Sequence, residues 1–159
     1  MRNILMTVFF IGSMTAGYAQ TSDAEAEAII NLLGVQKKEV VAKLVSVSGK
    51  DSVAFWKIYD EYQKVNKATA KSRIGLYERT ALAYSNMNAS VADSLATKYF
   101  ANRFEQEKAL ETYYKKIKTA TNPIIAFEFY QAEVYLLTLI RAQIMQQIPT
   151  YGQVKQSMK

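Results

Sequence analysis

The side chains able to move protons in this chain of 159 residues are carboxylates, and their densest groupings are Glu128 with Glu133 and the run Glu105, Glu107 and Glu111. The sequence contains no histidine and no cysteine. That removes disulfides, the usual zinc sites, thiol nucleophiles, Ser-His-Asp triads and imidazole acid–base chemistry together. A di-iron bundle needs Glu-x-x-His from two helices and fails on the same ground. Glutamates on helices with basic neighbours more often form ion pairs than the acid and base of glycoside chemistry. Met87, Met145 and Met158 are scattered rather than converging, so no soft-metal site is expected. The residues therefore predict no enzyme, no metal site and no cofactor.

Two other groupings can bind rather than catalyse. Lys64, Lys67 and Lys71 recur at i, i+3 and i+7, with Arg73 close by and no acid between Glu61 and Glu78. This patch reads either as a solvated helix face or as a surface that attracts acidic segments or anionic headgroups. Phe55, Trp56, Tyr59 and Tyr62 are aromatics at helical spacing, either core or an adaptable contact site. Adjacent Phe55 and Trp56 cannot both face one direction.

The elements that position these residues are four helices. The first is expected from Asp23 to Val45, with Thr21, Ser22 and Asp23 as cap candidates and Glu25 and Glu27 suited to its positive N-terminal end. Ser48 with Asp51 forms a capping arrangement for a second helix from Gly49 to about Ser85, whose weak point is Gly75. Ser90 with Asp93 repeats the pattern for a third helix reaching about Lys118; Lys115, Lys116 and Lys118 complement its terminal carbonyls. Asn122 and Pro123 cap and open a fourth helix running to about Gln147, ended by Pro149 and Gly152. Phe129, Leu136, Ile140 and Ile144 define its apolar stripe, widened by Ile125, Phe127, Val134, Leu137 and Ile148, and it is expected to be the most buried helix. Short links make consecutive helices antiparallel neighbours. The seams of helices two and three turn polar at their centres (Asn66 and Thr69; Asn102 and Gln106), so these long helices are not expected to be covered on all sides.

The first nineteen residues follow the export pattern of a basic start, an apolar run and small residues, with cleavage expected between Ala19 and Gln20. Loss of Arg2 takes the formal net charge from +6 to +5. That charge is ordinary for a soluble domain, and no motif points to nucleic acid. Ile124 to Ile148 is apolar but interrupted by Glu128, Gln131, Glu133 and Arg141, so a core helix is expected rather than a membrane anchor. The organisation is then a signal peptide over 1–19, one helical domain over 20–152 and a mobile polar tail over 153–159.

Val53-Ala54-Phe55-Trp56-Lys57-Ile58-Tyr59-Asp60-Glu61-Tyr62 resembles the Phe-Trp-Pro-x-Tyr-x-x-Tyr segment of small exported proteins of Bacteroidota, with Lys57 where Pro is common. Phe127-Glu128-Phe129-Tyr130-Gln131-Ala132-Glu133 and the closing Ile148-Pro149 resemble that group's aromatic-Gln-x-Glu and Ile-Pro segments. The group is similar in turn to the Spy/CpxP-like periplasmic proteins, although the Leu-Thr-x-x-Gln signature of that family is absent from this chain. The resemblance implies a helical, cradle-shaped dimer that acts as an ATP-independent chaperone or as a repressive partner of an envelope-stress sensor.

Together these readings predict an all-α, four-helix periplasmic or secreted protein of antiparallel hairpins, forming a homodimer. It would bind unfolded or acidic protein segments through Lys64, Lys67, Lys71, Arg73, Phe55, Trp56, Tyr59 and Tyr62. The rival readings are a dedicated partner of one envelope sensor and a structural envelope protein without clients.

Overall fold

The computed structural model describes residues 36–157. The expected signal peptide with its Ala19–Gln20 junction, and the helix start at Asp23, lie outside the described residues. Within them the chain is an all-α bundle. Helix α1 covers residues 36–44. It is followed by α2 (Gly49–Ala83), a 3₁₀ turn (Tyr84–Asn86), α3 (Ala89–Ala120), α4 (Pro123–Gln147) and a short α5 (Tyr151–Ser157).

Backbone chemistry sets these boundaries. Gly49 opens α2 at φ +55, a left-handed conformation that glycine adopts without Cβ strain. Ser48 stands at the N-cap of α2, yet its hydroxyl makes no capping hydrogen bond. Gly75 does not interrupt α2, which is helical throughout its 35 residues. The cap of α3 is Asn88 rather than the expected Ser90: Asn88 Oδ1 accepts from the Val91 N–H at 3.1 Å. An amide reaches the orphan N–H groups as well as a hydroxyl does, and it places Ser90 inside the first turn. Asn122 caps α4 as expected, its Oδ1 accepting from Ile124 N at 2.9 Å and Ile125 N at 3.0 Å, with Pro123 at the first helical position. The polar tail expected from Gln153 is instead helical over Tyr151–Ser157, though it buries no side chain. Its start is a reciprocal capping box, in which Gln153 Oε1 accepts from Thr150 N at 2.7 Å and Thr150 Oγ1 accepts from Gln153 N.

Helices α2 and α3 run antiparallel along their length, and α4 folds back along α3. The core lies where α1, α2, α3 and α4 meet. Phe55, Tyr59 and Tyr62 of α2 converge on Phe129 of α4, with ring centroids 6.3, 6.2 and 5.3 Å away, all edge to face. Tyr113 of α3 closes on Tyr62 at 5.4 Å, and Val41, Val45, Ile117 and Ile125 complete the cluster. Edge-to-face rings add specific attraction to the burial of apolar area.

The α4 stripe is narrower than its sequence implies. Ile125, Phe129 and Leu136 are buried, whereas Phe127 and Val134 are 51% and 39% exposed. A residue two positions before Phe129 or Leu136 lies about 200° around the helix, on the opposite face. With Ile124, Tyr130 and Tyr135 they form an exposed apolar face, so α4 is buried on one side alone. Among the described residues, the stretch Pro123–Ser157 is long and apolar enough to cross a membrane by length and composition.

Candidate functional site

Of the residues expected to bind partners, the aromatics are core. Phe55, Tyr59 and Tyr62 are fully buried, and Trp56 is half-buried against them, its ring edge-on to Phe55 at 4.9 Å. Three of the four thus fall on the inward face of α2, because their spacing of four and three residues matches the helical repeat. Phe55, Tyr59 and Tyr62 are therefore core rather than contact surface, while Trp56 keeps part of its ring exposed.

The basic residues divide. Lys64, Lys67 and Arg73 line a groove of about 360 Å³ between α2 and α4, while Lys71 is exposed and lies outside that lining. The α2 wall also presents Ala70, Ile74 and Tyr77; the α4 wall is Leu137, Ile140, Arg141 and Ile144. Asn102 and Gln106 of α3 form the floor, and Lys37 and Lys38 of α1 stand at one end. Beyond the other end the helices rejoin, where Tyr84 Oη donates to the Pro149 carbonyl at 2.7 Å and its ring meets Tyr151 at 5.7 Å.

This arrangement explains the polar centres of α2 and α3. Asn102 Nδ2 donates to the Thr69 carbonyl at 3.1 Å, and its Oδ1 accepts from Arg73 Nε at 2.5 Å. Gln106 Oε1 accepts from Arg141 Nη2 at 2.8 Å. Both arginines are therefore oriented by neutral amides. Arg73 also lies over the Tyr99 ring at 5.5 Å, and its Nη2 is buried without a hydrogen-bond partner among the described residues. Burial holds the Arg141 guanidinium below its usual range, and the positive charges of Arg73 and Arg103 lower it further. Asp60 is the carboxylate among the described lining residues, and Lys38 Nζ already pairs with it at 2.5 Å. Among the described residues the groove therefore combines aliphatic walls with guanidinium charge that no lining carboxylate offsets, a chemistry suited to an anion carrying apolar groups.

At the Lys37 end of the groove lies a second polar group. Lys37 Nζ sits 2.5 Å from Glu133 Oε2, which also accepts from Tyr62 Oη at 2.7 Å. Gln63 donates to the Tyr59 hydroxyl. Burial first, then the Glu133 charge, raises both phenols above the usual tyrosine range, so they stay protonated donors. Glu128 serves elsewhere, its Oε2 accepting from Ser46 N at 2.8 Å to fasten the α1–α2 link onto α4. Glu111 pairs with Lys115, which lowers its carboxyl from the usual range.

Sequence reasoning missed Arg141 and Gln106 as site residues. The signal was present as polar residues at inward-facing register: Asn66 and Thr69 on α2, Asn102 and Gln106 on α3, Arg141 on α4. Comparison with known proteins finds no matching family model, no matching curated protein and no matching solved structure.

Proposed function

We propose that the protein is an exported, non-enzymatic, chaperone-like binding protein whose α2–α4 groove captures acidic polypeptide segments that also carry apolar side chains. The observation that carries this reading is the pairing of Arg73 and Arg141 with amide oxygens rather than carboxylates in one apolar-walled groove. Long-range attraction by Lys64, Lys67 and the two arginines speeds encounter, and modest apolar contact permits release without ATP. With Phe55, Tyr59 and Tyr62 buried, the apolar share of binding passes to Ile74, Leu137, Ile140 and Ile144. The homodimer expected from the sequence belongs to this reading, as does the periplasm as its place of action.

A groove with two defined ends also favours the narrower reading, a dedicated partner of one envelope protein. Fluorescence anisotropy of labelled acidic-aliphatic and scrambled-charge peptides, titrated with residues 20–159, tests both. Binding should weaken as salt rises and fall about tenfold in Arg73→Gln or Arg141→Gln alone, the loss expected for one charge-assisted contact, and further in the double variant. Affinity indifferent to both changes sinks the groove reading. Binding of many acidic peptides, with suppressed aggregation of a denatured client, supports the chaperone; tight binding of one envelope protein alone supports the dedicated partner.

A further inference from the structure

We propose that the floor of the α2–α4 groove holds a two-arginine subsite for one carboxylate, and that the groove takes a single-chain aliphatic carboxylate. Its anion rests on Arg73 and Arg141, and its hydrocarbon lies between the helix walls. The inference rests on reading the groove as a site for anions that carry apolar groups, and it adds a small-molecule ligand to the polypeptide segments of that reading.

The floor supplies the headgroup site. Asn102 and Gln106 stand one helical turn apart on α3, so the guanidiniums they hold, Arg73 from α2 and Arg141 from α4, are brought together from opposite walls. Burial first, and then the charges of Arg73 and Arg103, depress Arg141 more than Tyr77 and Glu107 raise it. Arg73 Nη2 is a buried donor with no acceptor among the described residues. Two like charges held side by side, one with an unmet donor, favour an anion in the space they share. A guanidinium presents paired N–H groups that match the two oxygens of a carboxylate.

The walls select the rest of the ligand. Helices α2 and α4 run in the same direction, Tyr62 meeting Glu133 and Tyr84 meeting Pro149, so Ala70 to Tyr77 lies alongside Leu137 to Ile144. Each stretch is about 10 Å of helix, the extended length of an alkyl chain of about eight carbons. Ile74, Leu137, Ile140 and Ile144 line it and are half-buried, and the groove of about 360 Å³ is of small-molecule size. Both walls are continuous helix whose main-chain N–H and C=O groups pair within the helix, so they offer an inserted strand no main-chain hydrogen bonds. A polypeptide threaded to the floor would strip water from its own amides, whereas a hydrocarbon has none to lose. Polypeptide segments therefore belong at the mouth of the groove and the alkyl chain in its depth.

Isothermal titration of residues 20–159 with submicellar octanoate tests the assignment. One octanoate should bind per chain, about tenfold more tightly than octanol, which lacks the charge. It should also bind roughly a hundredfold more tightly than acetate, which lacks the hydrocarbon. Arg73→Gln or Arg141→Gln should each weaken binding about tenfold. Ile140→Trp, which fills the groove and leaves both arginines in place, should weaken it as well, while the exposed control Phe104→Ala should not; circular dichroism checks that each variant keeps its helices. Equal affinity for octanol overturns the carboxylate subsite, and equal affinity for acetate reduces it to an adventitious ion only. Many octanoates per chain, unmoved by any variant, overturn the assignment as adsorption. Peptide binding without octanoate binding overturns the proposal and leaves the capture of acidic segments standing; octanoate binding without peptide binding does the reverse.

Discussion

Lys37 and Glu133 form an ion pair at 2.5 Å in which both side chains are removed from water, 4% and 0% exposed. The Tyr62 hydroxyl shares the same carboxylate oxygen, and Tyr62 also receives the Lys37 ammonium over its ring. One buried group therefore joins α1, α2 and α4 at the Lys37 end of the groove.

Removing one partner of a buried pair strands the other charge. Lys37→Met should lower unfolding stability by about 3–5 kcal/mol, the range for an uncompensated buried ion. Adding Glu133→Gln should restore most of the loss, because the amide oxygen still accepts from Tyr62. Urea unfolding of the two variants checks this, and absence of recovery in the double variant counts against charge as the cause.

The raised phenols of Tyr59 and Tyr62 give an alkaline dependence. In the unfolded chain a tyrosine titrates near pH 10. A group that binds its proton more tightly when folded contributes stability fully present below that pH and lost as pH climbs toward its folded value. Stability should therefore fall on going from about pH 9 to pH 11, and Tyr62→Phe should flatten the decline. Denaturation midpoints followed by circular dichroism across that window decide it.

Two glycines should respond to alanine with opposite signs. At Gly49 the added Cβ meets open space, but the positive φ penalises any L residue, so Gly49→Ala should cost about 1–2 kcal/mol. At Gly75 the added Cβ meets the Arg79 guanidinium at 3.3 Å, the movable end of an exposed side chain. Gly75→Ala should then stabilise α2 by up to about 1 kcal/mol through helix propensity. Thermal melts of the two variants should move in opposite directions.

The helix caps separate position from function. Asn122→Ala and Asn88→Ala should each cost about 1 kcal/mol, because each side chain satisfies backbone N–H groups. Ser48→Ala should cost no more than a few tenths, since its hydroxyl makes no capping bond. Equal losses at all three positions, measured by urea unfolding, would contradict the cap assignments.

The helical architecture was legible from the residues alone, because that information is local. The 3.6-residue spacing of Phe55, Tyr59 and Tyr62, the Asn122-Pro123 start of α4 and the short links specify helices and their turns without reference to distant residues. The Thr150-x-x-Gln153 box that starts α5 was equally local and equally legible. The site was not. A helical repeat says that two residues share a face, not whether a third helix covers it, so it is the packing of the bundle that closes Phe55, Tyr59 and Tyr62 on Phe129 and leaves Phe127 in water. Nor does any local rule bring Arg141 of α4 beside Gln106 of α3, or Lys37 to Glu133. Those meetings depend on the relative register of packed helices, which the whole bundle fixes at once. The polar centres of α2 and α3 looked like gaps in two apolar seams; the fold turns them into the floor of a groove.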